Sequence, residues 1–421
     1  MPKYHIWTIG CQMNKAESER IAARFEELGY GEAKSINDAD LIVLNSCVVR
    51  QSAENRVINK LHDLKHLKKE RPDTLLALTG CMVDSDTSHL HKSYQFIDHF
   101  FKAGEYPPWL EKAKESSLPK KPAPSVYVPI SQGCDNFCSY CIVPYRRGRE
   151  RSKPMEEVVC EVKELARRGA KEVILLGQNV DSYGHDLKGK PDLADLLTEL
   201  NEIEGVKRLR FLTNHPKDMS LKLIKDIARL DKVCEQVNLP VQAGSDEVLK
   251  AMKRGYTVEQ YRRLVRQIRE KVPDIAISTD VIVGFPGESE GQFKETLDLL
   301  SEIKFDTVHV AAYSPRAGTA AAREYEDDTS PDEKKERLNK IEKLQEGVQS
   351  VINARLMGEA SEILVEGKKG EKWYGRTRTD KLVFFSSNRD YYGQLVKIKI
   401  EKTSPWSLQG KTESVNVKME E

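Results

Sequence analysis

Gly133-Cys134-Asp135-Asn136-Phe137-Cys138-Ser139-Tyr140-Cys141 follows a short apolar run, residues 126–130, and sets three thiols at a Cys-x3-Cys-x2-Cys spacing. Three cysteines within eight residues can wrap one face of a compact inorganic centre. They leave a tetrahedral zinc one ligand short, and they equally leave one iron of a four-iron cluster without a protein ligand; soft thiolates select either. The missing ligand is a place where a substrate or cofactor can bind.

The motif also opens a long βα alternation. Strands are expected at 126–131, 172–177, 208–212, 236–239, 276–283 and 307–313, and helices at 155–168, 193–203, 221–230, 246–252, 258–271 and 290–303. Six βα units over 126–330 predict a partial or complete TIM-like barrel, whose functional groups lie in the loops after the strands. The thiol motif occupies the first of those loops. The later ones carry Gln178 and Asn179, Asn214 and His215, Gln242 to Ser245, and Gly284 to Glu288. Small residues and amides there permit close backbone approach to a ligand. Taken alone, His215 reads as a structural histidine and each glycine as a turn signal.

Upstream, residues 1–112 repeat the α/β texture. Apolar runs at 5–10, 41–46 and 75–80 are separated by amphipathic stretches at 16–28 and 54–69, a parallel-sheet pattern. Cysteines 11, 47 and 81 each follow one of these runs directly. Ligands of open α/β sheets bind beyond the carboxyl ends of the strands. A lone strand-end cysteine reads as a small buried hydrophobe; three in one register predict a second ligand set. Cys160 and Cys234 lack that positional logic and read as ordinary thiols.

Residues 113–125, rich in Pro, Lys and Ser, predict a linker. Ser330-Pro331-Asp332-Glu333 is a helix-start signature, and apolar spacing carries a connecting helix over 331–357. From 358 to 421 short alternating runs at 361–366, 373–377, 382–385 and 395–401 predict a small antiparallel barrel. Between 358 and 410 it carries 10 Lys/Arg against 7 Asp/Glu, with Tyr, Phe and Trp interleaved, a mixture that suits RNA as well as it suits a plain solvated surface. A second basic cluster, Arg146 to Lys153, holds five cations in eight residues directly after the thiol motif and predicts a polyanionic partner.

The totals bound these readings. At 421 residues the chain has length for two or three domains. A net charge of +1 makes any nucleic-acid contact local rather than global. No apolar stretch has membrane-spanning length and no signal peptide is evident, so a cytoplasmic, reducing setting is expected for the eight cysteines.

A Cys-x3-Cys-x2-Cys motif with an aromatic before its last cysteine, opening a βα barrel, resembles the radical SAM enzymes. The resemblance implies a [4Fe–4S] cluster on Cys134, Cys138 and Cys141, with S-adenosylmethionine (SAM) at the open iron, Tyr140 near its adenine, and Gln178, Asn179, Gln242 and Gly284 as further contacts. The three-part layout resembles the methylthiotransferases over essentially the whole chain. It implies an α/β fold throughout: a parallel, Rossmann-like N-terminal domain, a TIM-like radical SAM barrel and a small antiparallel TRAM barrel. It also implies a second [4Fe–4S] cluster on Cys11, Cys47 and Cys81, whose sulfur is methylated by one SAM and transferred after a second SAM yields a radical.

Gly10-Cys-Gln-Met-Asn14, Asn45-Ser-Cys-Val-Val-Arg50 and Cys138-Ser-Tyr-Cys141-Ile-Val-Pro-Tyr-Arg146-Arg-Gly148-Arg149-Glu150 look like the MiaB type. That type acts at C2 of N6-isopentenyladenosine beside the tRNA anticodon. The implied partners are tRNA, through Arg146–Lys153 and the C-terminal barrel, an electron donor such as flavodoxin or ferredoxin, and a sulfur donor. Other readings are the same chemistry on threonylcarbamoyl-adenosine or a ribosomal protein, and a zinc-stabilised RNA-binding protein. Asn214 and Ala243 depart from the usual serines of the type, and Ala317 and Ala320 from usual prolines.

Overall fold

The computed structural model of the protein describes residues 1–84, 86–112 and 118–413. Residues 113–117 of the expected linker, and 414–421 of the expected C-terminal unit, lie outside the described residues.

The N-terminal unit is a five-stranded parallel sheet in the order Gly31–Glu32, Lys3–Thr8, Leu41–Ser46, Leu75–Gly80, His99–Phe100. Leu41–Ser46 is central and buried at every position, which explains its unbroken apolar reading. Alternate side chains serve opposite faces. Ile42 and Leu44 pack with Leu61 and Leu64 of the helix Gln51–Glu70, whereas Leu41 and Val43 pack with Ile21 and Phe25 of the helix Gln12–Glu27. Register pairs Thr8 with Asn45 and Ser46 with Gly80, so the three long strands end level.

Ser125–Pro129, Glu172–Leu176 and Arg208–Phe211 form one parallel sheet, and Gln236–Asn238, Ala276–Val283 and Thr307–Ala312 another. A parallel bridge from Leu209 to Val233 joins the two into a six-stranded, laterally open barrel wrapped by helices. The edge strand Ser125–Pro129 is covered by the N-terminal unit: Met13 and Ala16 of Gln12–Glu27 pack on Tyr127, Ile174 and Leu176. Arg20 from the same helix pairs with Glu161 of the barrel helix Met155–Arg167 at 2.6 Å. The other edge, Thr307–Ala312, lies beside the connecting helix Pro331–Ala354, which starts on a Ser330 cap as expected.

The C-terminal unit is a closed five-stranded barrel, Ala360–Lys369, Lys372–Thr377, Leu382–Ser386, Leu408–Thr412 and Leu395–Thr403 in spatial order. The strand Leu408–Thr412 was not expected from the sequence. It closes the barrel by pairing parallel with Leu382–Ser386 and antiparallel with Leu395–Thr403, the remaining pairings being antiparallel.

This small barrel docks on the amino ends of the larger barrel's strands. The buried Arg208 and Arg210 donate to the carbonyls of Arg376, Glu362, Arg378 and Thr377. In return Arg378 pairs with Glu235 at 2.7 Å and Lys381 with Asp306 at 2.6 Å. The carboxyl ends of the same strands, with their loops, are left facing the N-terminal unit.

Candidate active site: two thiol triads at strand ends

Cys11, Cys47 and Cys81 emerge from one edge of the N-terminal sheet, and Asn14 ties their surroundings together. Its Nδ2 donates to the carbonyls of Ile9 and Ser46 and to Asn45 Oδ1, and its own carbonyl accepts from Asn45 Nδ2. The Ser46 carbonyl also receives the Cys81 amide at 2.9 Å, and the Cys11 thiol donates to Asn14 Oδ1 at 3.6 Å. Cys11 is the residue that opens the helix Gln12–Glu27. A Cβ on Gly10 would lie 2.8 Å from the Cys47 Cβ, so this glycine permits the two cysteine loops to touch. Burial pushes the Cys47 thiol up, and the Cys81 thiol up to about 11, with neighbouring Arg147 opposing the rise in both.

The second triad lies in the loop after Ser125–Pro129. A short antiparallel pair, Ser131–Gln132 with Arg151–Ser152, closes the base of that loop. Gly133 has φ +82° and a Cβ there would fall 2.2 Å from the Arg149 carbonyl. Its amide donates to Gln178 Oε1 at 2.5 Å. Burial raises Cys134, and it pushes Cys141 up to about 12 with Cys138 adding to the rise. Among the described residues no three His, Cys, Asp or Glu side chains stand at the spacing of a single bound metal ion.

Sequence reasoning missed the buried Arg254, whose guanidinium donates to Cys138 Sγ at 3.3 Å, to Tyr140 OH at 3.5 Å and to the Pro240 carbonyl at 3.1 Å. The sequence carries only a slight signal for it, a cation set between a lysine and a Gly-Tyr pair. It missed Asp181 as well. That carboxylate is buried, accepts from Asn214 Nδ2 at 2.5 Å and the His215 amide at 2.8 Å, and burial pushes it up to about 7. Asn214, where the resemblance expects Ser, thus has a defined partner. Burial and the Arg254 charge push His215 down to about 2, so its imidazole is neutral.

Of the residues expected to contact a ligand, Gln178 is engaged in pinning the cysteine loop. Asn179 donates to Asp218 at 2.8 Å while its Oδ1 is buried without a partner. Gln242 takes φ +72° and its Oε1 is likewise unpartnered. The Gly284 amide is capped by Glu288, itself held by Arg337 at 2.7 Å, so Glu288 is satisfied within the chain. With Ser131 Oγ, Asn214 Oδ1 and His215 Nε2, these make five unpartnered buried atoms at the carboxyl ends of four strands. Buried polar atoms without partners are uncommon, and a concentration of them marks a place shaped for a polar ligand.

The basic cluster is placed otherwise than expected. Residues Val143–Arg147 form a helix rather than an open loop. Arg146 pairs with Asp84, Arg147 with Glu17, Arg149 with Asp135 and Lys153 with Glu161, leaving Arg151 without a carboxylate partner among the described residues. Sequence shows where cations are, not which carboxylates face them across a domain junction. In the C-terminal barrel, Arg378 and Lys381 are engaged with the larger barrel in the same way.

Residues 128–300 match the Radical SAM superfamily, 3–102 an uncharacterized protein family (UPF0004), and 354–412 the TRAM domain. The tRNA-2-methylthio-N(6)-dimethylallyladenosine synthase of Dehalococcoides mccartyi (strain ATCC BAA-2266 / KCTC 15142 / 195) is 54% identical over 411 residues, 98% of each chain. The chain belongs to that synthase family. The synthase of Chloroflexus aurantiacus is 49% identical over 97% of this chain and 91% of its own. The protein is thus an enzyme, a radical SAM tRNA methylthiotransferase. Among solved structures, the radical S-adenosylmethionine methyltransferase TsrM from Kitasatospora setae, at 14% identity, shares the fold with a TM-score of 0.54 over 77% of this chain and 78% of its own. No helix of the described residues is long and apolar enough to cross a membrane.

Proposed function

We propose that this synthase installs a methylthio group at C2 of N6-isopentenyladenosine beside the tRNA anticodon, using two [4Fe–4S] clusters and SAM. Cys134, Cys138 and Cys141 hold one cluster, and Cys11, Cys47 and Cys81 the other. The observation that carries the reading is the junction between the triads. The helix Val143–Arg147 begins two residues after Cys141 and ends in ion pairs with Glu17 and Asp84, which flank Cys11 and Cys81. Three soft sulfurs in each set fit an iron–sulfur cluster with one open iron, and the unpartnered polar atoms of Ser131, Asn179, Asn214, His215 and Gln242 fit SAM.

When bound, the clusters supply the electron that cleaves SAM and the sulfur that is transferred. The chain's own residues do the rest. Gln178 and the Ser131–Gln132 strand fix the cysteine loop, and Arg254 holds Cys138 and Tyr140 in register. Neutral His215 leaves its buried Nε2 without a partner in the chain, and Asp181 anchors its backbone. Burial raises the thiols of Cys47, Cys81, Cys134 and Cys141, so loading requires proton release. tRNA is held by the TRAM barrel. A low-potential electron donor such as flavodoxin or ferredoxin, a sulfur donor and a cytoplasmic setting complete the reading.

Mass spectrometry of tRNA from a deletion strain tests it: the 2-methylthio group disappears and returns with the gene. Persistence at full level in a strain lacking other methylthiotransferases overturns the assignment. About eight irons per reconstituted chain are expected, with equal sulfide; zinc without labile sulfide overturns the cluster chemistry.

A further inference from the structure

Five cations follow the Cys134 motif, and one of them is unlike the rest. The Arg147 side chain is 2% exposed, against 24% for Arg146, 72% for Arg149 and 25% for Lys153. It leaves the barrel and enters the N-terminal unit. There it donates to Glu17 Oε1 at 2.7 Å and to Asn14 Oδ1 at 2.9 Å, the same oxygen that receives the Cys11 thiol. Asn14 also shares the Ser46 carbonyl with the Cys81 amide, so one amide side chain links the guanidinium to the surroundings of all three thiols.

A purely structural salt bridge is a poor account of this. Desolvating an ion pair costs more than its attraction returns unless every polar atom is satisfied, and Glu17 Oε2 is buried without a partner. A cation beside three ionisable sulfurs has a second role available.

We propose that Arg147 is a positioning residue for the centre held by Cys11, Cys47 and Cys81, its buried guanidinium offsetting the negative charge of a thiolate-bound iron–sulfur cluster. The assignment rests on the two-cluster reading above. A nearby cation stabilises the reduced, more negative form, so it raises the reduction potential; Glu17 acts in the opposite direction. Since Arg147 lies six residues after Cys141, the barrel's own cluster loop supplies the charge that conditions the other centre.

The test uses the full-length chain with Cys134, Cys138 and Cys141 replaced by Ala, so that only the N-terminal centre gives a signal. Arg147→Gln, Arg147→Lys and Glu17→Gln are compared by iron and sulfide content and by redox titration followed by electron paramagnetic resonance. Arg147→Gln lowers the potential and the iron retained on gel filtration, Arg147→Lys restores the potential, and Glu17→Gln shifts it upward. Opposite shifts from the two partners of one salt bridge are not produced by loss of a structural contact, which moves both alike. Should Arg147→Gln not fold, the upward shift in Glu17→Gln carries the decision. Potentials unchanged in folded Arg147→Gln and Glu17→Gln chains overturn the assignment alone. A parent chain with no four-iron signal overturns the two-cluster reading, and this assignment with it.

Discussion

Gly133 illustrates how much of the site depends on single residues. Its φ of +82° suits glycine, and the 2.2 Å approach of a Cβ to the Arg149 carbonyl leaves a side chain no room. Gly133→Ala is expected to displace the cysteine loop at a cost above about 1 kcal/mol and to remove about half the iron of the reconstituted chain, read by iron and sulfide analysis. Asp181 and His215 give a pH signature. Asp181, raised to about 7 when folded, contributes stability present at low pH and lost as pH rises through 7; His215, lowered to about 2, contributes stability present above its unfolded value near 6.5 and lost as pH falls. Between roughly pH 4.5 and 6 the two slopes oppose each other. Asp181→Asn therefore leaves the histidine slope unopposed, with stability rising by up to about 1.4 kcal/mol per pH unit in that window, whereas His215→Gln leaves it falling. Urea denaturation of the apo-chain at pH 5 and 6 reads both. The six cysteines could be picked out in the sequence because thiols at strand ends and in a tight motif announce themselves by spacing. Arg147 and Arg254 could not, since burial of a cation depends on partners more than a hundred residues away.

At the scale of elements, the long strands and amphipathic helices were legible from their periodicity. The strand Leu408–Thr412 was not: Leu-Gln-Gly-Lys-Thr has one apolar residue, and it is strand only because neighbours pair with it. Gly410 is required there, a Cβ falling 2.1 Å from the Lys399 carbonyl. The Val143–Arg147 helix was also hidden, its paired arginines reading only as the start of a basic cluster for a polyanionic partner. Docking of the two barrels depends on strand Arg208–Phe211. Arg210→Ala removes donors from the Arg378 and Thr377 carbonyls and leaves the buried Glu172 without its 3.2 Å partner. Glu172 keeps Arg208 at 3.9 Å and Ser125 Oγ at 2.9 Å, so the cost lies below the roughly 3–5 kcal/mol of a fully unpaired buried charge. The expected outcome is a lower denaturation midpoint and easier proteolytic release of the TRAM barrel, both measurable on the purified chain.

For the whole molecule, the arrangement has an end-to-end polarity. The TRAM barrel sits at the amino ends of the large barrel's strands, while both thiol triads sit at carboxyl ends. On the function proposed above, RNA held by the TRAM barrel would reach the thiols along the large barrel's open side. A groove there is lined by Arg50 of the N-terminal unit, His309, Lys343 and Trp406. Trp406 is 60% exposed on a turn whose carbonyls are held by Asn353, so its ring is presented rather than packed. Trp406→Ala is expected to weaken binding of an anticodon stem-loop about 5- to 100-fold, as loss of one base–aromatic stack does, with the melting temperature unchanged. Fluorescence anisotropy at fixed salt measures it. A drop in stability without loss of affinity would count against this route.

The burial of Arg147 has a consequence for how the protein is made. Cys81 leaves the ribosome 66 residues before Arg147, and every strand of the N-terminal sheet lies before residue 101. At about 5–20 residues per second, the first triad is complete for several seconds before the guanidinium can arrive. During that interval the nascent chain offers three thiols without their cation, open to a delivery protein but also to oxidants and stray metals. On the two-cluster reading proposed above, a pause between residues 81 and 147 would lengthen the period in which the first centre can be filled before Arg147 arrives.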